Sequence, residues 1–97
     1  MYTYFGRYLN YANKNHFFMP TALLERGYRF HFYASDRDEP KHVHVSKGDG
    51  YAKVWLEPSV EVQYFYNYKA RQQREILGII EENETILKDA WNDFFSE

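Results

Sequence analysis

Hydrophobic and polar residues alternate along the first half of the chain in the way expected of β-strands. Four runs have this strand character: residues 21–25, 28–33, 42–47 and 51–56. Successive side chains of a strand point to opposite faces, so each alternating run predicts a strand with one buried face. Arg26-Gly27 and Gly48-Asp49-Gly50 supply turn residues between these runs, and both glycines of the second turn are expected at positive φ. We therefore predict a series of antiparallel hairpins.

The pattern changes in the C-terminal third. Residues 60–66 place two valines and two tyrosines against Glu61, Gln63 and Phe65, which indicates a short edge strand or an irregular segment. From Tyr68 onward the apolar residues recur every three or four positions, which predicts helix. These are Ile76, Ile80, Leu87, Trp91 and Phe94.

One uninterrupted C-terminal helix would be about 42 Å long, which is excessive for so small a domain. Gly78 and Asn83 are weak helix formers, and we expect a break near Asn83. The predicted fold class is α+β: an antiparallel β-meander of three to four strands with a C-terminal helix or helix pair packed on one face. Phe30, Phe32, Val43, Val45, Val54 and Leu56 are expected to form the core face of the sheet.

Length and composition limit the number of domains and the kind of core that the chain can form. The chain has 97 residues, enough for one domain, and its 10 Tyr and 8 Phe predict a core packed largely by rings. Met19-Pro20 resembles a second start of the protein chain. We therefore predict an aromatic N-terminal extension over residues 1–18 and a single α+β domain over residues 19–97.

Charge and residue usage exclude several protein classes. The formal net charge of −2 gives no general attraction to nucleic acid or membranes, so such contacts would need a local patch. The absence of cysteine excludes disulfides and thiolate metal sites. No apolar run approaches the roughly 20 residues that a bilayer requires, so we expect a cytoplasmic protein with no membrane contact.

The residues capable of chemistry concentrate in segment 36–45, where an acidic loop leads into a strand with two histidines. His42 and His44 alternate with valines, so both imidazoles point away from the core. Imidazole is the commonest metal ligand, but an isolated His-x-His is weak evidence for a metal. Because the sequence does not identify a third ligand, we predict neither a metal site nor a cofactor. The residues that could complete a set are Asp36, Asp38, Glu39 and His31.

The polar face of the sheet combines cations, imidazoles and rings, as in surfaces that stack bases and hold phosphates. One hypothesis is metal-independent ribonuclease chemistry, with His42 and His44 as acid and base and His31 as a substitute for either. Lys53 or Arg29 would stabilise the charged phosphorane. The predicted binding residues are Tyr33, Tyr51, Trp55 and Glu39.

Two other interpretations of this face stay open. In one, the face belongs to a non-catalytic module that binds a small partner protein or RNA. In the other, the histidines belong to a solvated strand face and the acids form local turn bonds. Whether the chain is an enzyme is not decided by its sequence.

Several spaced motifs resemble a known bacterial family. They are Met19-Pro20-Thr21, Gly27-Tyr28-Arg29-Phe30, Glu39-Pro40-x-His42-Val43-His44-Val45, Ala52-Lys53-x-Trp55-Leu56, Ile79-Ile80-Glu81-Glu82-Asn83 and Ala90-Trp91-Asn92. In this order they are similar to the family called Domain of Unknown Function 4160, over Met19 to about Phe95. Residues 1–18 depart from its pattern.

The resemblance implies context rather than activity. Members of the family are small bacterial proteins, often encoded beside another small protein in pairs that look like toxin-antitoxin modules. We therefore expect a toxin-antitoxin component that binds or cleaves RNA, with the product of an adjacent gene as its partner. The alternatives are a non-catalytic protein-binding module and a homodimer.

Overall fold

The computed structural model describes residues 21–96, which form a five-stranded antiparallel sheet followed by two helices. The elements are β1 (Thr21–Glu25), β2 (Tyr28–His31), β3 (His42–Lys47), β4 (Gly50–Trp55), β5 (Glu61–Tyr66), α1 (Ala70–Glu82) and α2 (Glu84–Phe95). The strands are ordered in space as in sequence, so the predicted α+β meander is confirmed. It has five strands rather than three to four, because β5 pairs with β4 as an outer strand. The predicted extension over residues 1–18 lies outside the described residues.

Two glycines in the hairpin turns occupy the left-handed region that other residues avoid. Gly27 has a φ of 84° and Gly48 a φ of 57°, as expected of tight reversals. Gly50 was also expected at positive φ, and this is wrong. It begins β4, and a Cβ on it would lie 2.6 Å from Cζ and 2.7 Å from Cδ1 of Tyr68. Glycine is therefore needed at position 50 because the Tyr68 ring lies close to its backbone, and not because its φ is positive.

The core lies between one face of the sheet and the two helices. Strand register places Phe30 opposite Val45, and Val45 opposite Ala52. All six residues predicted for the core face are buried, which confirms that prediction. The helices contribute Ile76, Ile79, Ile80, Leu87, Ala90 and Trp91 to the same cluster. Burying each large aliphatic side chain stabilises the fold by about 1.5–3 kcal/mol.

The predicted break near Asn83 is confirmed. Asn83 ends α1 and precedes α2, with a φ of −122° and a ψ of 24°. Its side-chain amide donates to the Ile79 carbonyl at 2.8 Å, which satisfies an acceptor at the end of α1. The break lets α2 turn and pack against β1. Neither helix within residues 21–96 is long and apolar enough to cross a membrane.

Candidate functional site

The predicted polar face exists, and strand register brings its residues together. His31 pairs with His44, and His44 pairs with Lys53, so the three stand side by side on β2, β3 and β4. His42 pairs with Trp55. The imidazole rings of His42 and His44 lie 5.0 Å apart between centroids, and those of His31 and His44 lie 5.8 Å apart. The histidines therefore form one cluster, as the alternation predicted.

The ribonuclease hypothesis and the solvated-face interpretation both require these histidines to be open to solvent, and they are not. His31 and His42 are fully buried, and His44 keeps 6% of its surface exposed. A 3-10 turn over Ala34–Asp38 brings Asp36 against the histidines of β3. The ring of Trp91 lies 5.2 Å from that of His42, so α2 covers the cluster from another side. Alternation assigns side chains to faces but carries no information about what covers each face.

Asp36 is the centre of the buried cluster. Its Oδ1 lies 3.1 Å from Nε2 of His42, and its Oδ2 lies 3.0 Å from Nε2 of His44. The backbone N–H of Tyr33 donates to Oδ2 at 2.9 Å, and the N–H of Asp36 donates to the Tyr33 carbonyl at 3.0 Å. The turn thus fixes the carboxylate over both imidazoles. Asp36 was one of four possible third ligands in the sequence but was not among the predicted catalytic or binding residues.

The other ring nitrogens of the two histidines have partners of their own. Nδ1 of His42 lies 2.9 Å from the carbonyl oxygen of Pro40. Nδ1 of His44 lies 3.1 Å from the hydroxyl of Tyr51, which donates to the hydroxyl of Tyr33 at 2.8 Å. Burial and the bond to Tyr33 raise the pKa of Tyr51, so its phenol stays protonated. Both imidazoles are held at their Nδ1 side, and both present Nε2 to Asp36.

His31 belongs to the cluster but not to the group around Asp36. Its Nε2 lies 2.6 Å from Oγ of Ser46. Burial, with a smaller contribution from the positive charge of Arg29, lowers the pKa of His31 to about 3. Burial also lowers the pKa of His44, against the opposing effect of Asp36. Arg29 donates from Nε to Thr21 at 2.7 Å and lies at the other end of this face.

The β4–β5 half of the same face is more exposed and carries the other predicted residues. Nζ of Lys53 lies 2.8 Å from Oε1 of Glu39 and 4.7 Å from the ring centroid of Trp55. The bond to Lys53 lowers the pKa of Glu39. The rings of Tyr51 and Tyr64 stack at 6.2 Å. The predicted site residues are therefore divided between a buried histidine cluster and a half-buried aromatic surface.

Tyr64 and its strand neighbours were not predicted as site residues, because β5 breaks the period of two. Val62 is in register with core-facing Val54, whereas Tyr64 is in register with Lys53 on the polar face. A bulge between these pairs shifts the register. Side chains that alternation would place together therefore lie on opposite faces.

Comparison with known proteins identifies the family but no activity. No curated protein and no solved structure shows significant similarity to the chain. The family model described as "Domain of unknown function (DUF4160)" matches residues 27–92, which include all three histidines of the cluster. Since this match covers more than half of the 97 residues, the chain belongs to the DUF4160 family.

Proposed function

We propose that the chain is a protein-binding component of a toxin-antitoxin-like pair, and that it binds its small partner along β5. The observation that supports this is the distribution of exposed apolar side chains. Within residues 21–96 the large hydrophobic residues on the surface are Leu24, Val62, Tyr64 and Tyr66, with exposures of 46%, 36%, 41% and 62%. Three of these four are among the six residues of β5.

The position of β5 favours strand addition as the mode of binding. Within the described sheet β5 pairs with β4 alone, so its outer backbone groups are available to another strand. The bulge places Val62 and Tyr64 on opposite faces, and an added strand would cover both. Tyrosine is enriched at protein interfaces. Glu61 is the only charged residue of β5, so this edge lacks the lysines that commonly protect outer strands.

The test is binding between the chain and the product of the adjacent gene. Tyr66→Ser should weaken the complex at least about 5-fold, because an anchor of this kind contributes more than about 1 kcal/mol. Leu24→Ser is the matched control, since it also removes an exposed apolar side chain but from β1, at the other edge of the sheet. Its affinity should equal that of the wild type. Equal weakening by both substitutions, or by neither, contradicts the proposal.

A homodimer is tested with the same two variants. The mass of the chain alone in solution, measured by light scattering, gives its assembly state. A wild-type dimer that Tyr66→Ser converts to monomer, with no affinity for the neighbouring protein, would replace the partner proposal with self-association through β5.

RNA binding is a second candidate, favoured by the stacked rings of Tyr51 and Tyr64 and by Lys53 over Trp55. Base stacking on such rings contributes about 1–3 kcal/mol per base. Lys53 is already paired with Glu39, so we expect few phosphate contacts and a shallow salt dependence. Anisotropy of a labelled single-stranded RNA tests this, and unchanged binding by Trp55→Ala contradicts it.

RNA cleavage receives less support than RNA binding. General acid–base catalysis requires the imidazoles to reach the substrate, and the three histidines of the cluster are buried. We therefore expect expression of a His42→Ala, His44→Ala double variant to affect growth in the same way as the wild type, when both fold. Loss of growth inhibition in that variant would instead favour the ribonuclease hypothesis.

A further inference from the structure

We propose that Asp36, His42 and His44 form a mononuclear site for a divalent first-row transition-metal ion of the Zn²⁺ or Fe²⁺ class. The sequence offered four residues as a third ligand and no means of choosing among them. The structure selects Asp36, which the 3-10 turn places beside both imidazoles. The proposal is independent of partner binding, since β5 contributes no ligand.

The distances within the cluster fit a single ion. One ligand atom from each of the three residues lies within 4.8 Å of the others. Each Nε2 atom is 3.0 or 3.1 Å from an oxygen of Asp36. Ligands about 2.0–2.2 Å from a metal lie roughly 3.0–3.5 Å from each other when they occupy neighbouring positions. The cluster therefore has the spacing of a coordination shell.

The partners of the Nδ1 atoms favour one tautomer for each of the two imidazoles. A carbonyl oxygen only accepts, so Nδ1 of His42 must donate to Pro40. When the Tyr51 hydroxyl donates to Tyr33, its oxygen accepts from Nδ1 of His44. In their neutral forms both imidazoles then direct the lone pair of Nε2 at the Asp36 carboxylate. Two lone pairs and an anion then converge on one point, and their repulsion is relieved by a cation between them, either a proton on Nε2 or a metal ion.

The Nε2 atom of His42 provides independent support. It is fully buried and forms no hydrogen bond, although Oδ1 of Asp36 lies only 3.1 Å away. A buried polar atom without a partner costs about 1–3 kcal/mol. Coordination would satisfy this nitrogen, and the contact from Nδ1 to a carbonyl is the outer contact that metal-bound histidines usually make.

The donor set defines the class of ion. Two imidazoles and one carboxylate suit zinc or iron rather than magnesium or calcium, which prefer oxygen ligands. Three protein ligands leave further coordination positions for water or another molecule. The side chains of Asp36 and His44 each keep 7% exposure, so the site reaches the surface.

Titration of the full-length chain, first stripped with EDTA, tests the site. Co²⁺ is followed by its visible absorption and Zn²⁺ by calorimetry. The wild type should bind about one ion, and Asp36→Asn or His42→Gln should weaken binding at least about 10-fold, since changes to the outer contacts of metal ligands alone have effects of that size. His31→Gln is the matched control, because His31 is equally buried but does not contact Asp36. Its affinity should match the wild type.

Nitrogen NMR of the wild-type imidazoles covers the case in which the Asp36 and His42 variants fail to fold. Zn²⁺ should shift Nε2 of His42 and His44 while Nδ1 of each stays protonated. Absence of Zn²⁺ and Co²⁺ binding, protons on all four ring nitrogens in the presence of excess Zn²⁺, or an equal loss of affinity in His31→Gln would each overturn the proposal.

Discussion

Replacement of Gly50 by alanine gives the sharpest test of the packing beneath the β3–β4 hairpin. The added Cβ would lie within 2.7 Å of three atoms of the Tyr68 ring, well inside the ordinary contact distance of about 3.5–4.0 Å. Tyr68 is itself 8% exposed, and its hydroxyl donates to the carbonyl of Val45 at 3.3 Å. The ring therefore has to move by about 1 Å out of a packed site.

The expected loss of stability has two parts. Forcing extra volume into a packed core costs about 1–3 kcal/mol. Moving the ring also breaks the hydrogen bond to Val45, which contributes about 0.5–1.5 kcal/mol. We expect Gly50→Ala to lower the free energy of unfolding by about 2–4 kcal/mol. The melting temperature should fall by at least about 8 °C.

Gly78→Ala is the matched control, because it adds the same methyl group where no atom beyond the neighbouring turns of its own helix lies within 4 Å. It lies inside α1, where alanine is favoured over glycine by about 0.5–1 kcal/mol, so this variant should be more stable than the wild type. Urea unfolding followed by circular dichroism measures both changes, and an unchanged m-value shows that they reflect stability. A Gly50→Ala protein within about 0.5 kcal/mol of the wild type would refute the packing argument.

Three further predictions concern single side chains. The pKa of His31 is about 3 in the folded protein and 6.5 in its ordinary state, so between these pH values the unfolded chain binds a proton on His31 that the folded chain does not. The free energy of unfolding should therefore fall by up to about 1.4 kcal/mol per pH unit as the pH drops from about 6.5 toward 3. Urea unfolding at several pH values should show a smaller slope for His31→Gln, and an unchanged slope contradicts the assignment. Tyr28→Phe removes the 2.7 Å hydrogen bond to Glu75 that joins β2 to α1 and should cost about 0.5–1.5 kcal/mol in the same assay, whereas no change would mean that the bond is absent in solution. Lys88→Ala breaks ion pairs with two partly exposed glutamates and should change stability by less than about 1 kcal/mol; a larger loss would contradict the expectation for surface pairs.

The elements and the core were predictable because their signals are local. Alternation in residues 28–33, 42–47 and 51–56 decides which side chains face the core, and the short turn between β3 and β4 fixes the register that pairs His44 with Lys53. The helix break at Asn83 follows from helix length and the weak propensity of that residue.

The cover over the histidines was not predictable, because it depends on how one loop folds back. Asp36 and Asp38 have the same chemistry, two residues apart, yet only Asp36 is buried. Its side chain accepts from the N–H of Tyr33, and this turn geometry directs it toward β3. The bulge in β5 was also not predictable from the alternation of residues. One extra residue changes the face of every side chain beyond it.

The meander also has a consequence for the way the chain folds. Each strand pairs only with its neighbour in sequence, so the segments that must close before pairing are short and the entropic cost of closing them is small. The packing of α2 on β1 instead joins the two ends of the described region. We expect the hairpins to form early and this terminal contact to form last, and shortening the chain from its C-terminus should first release β1.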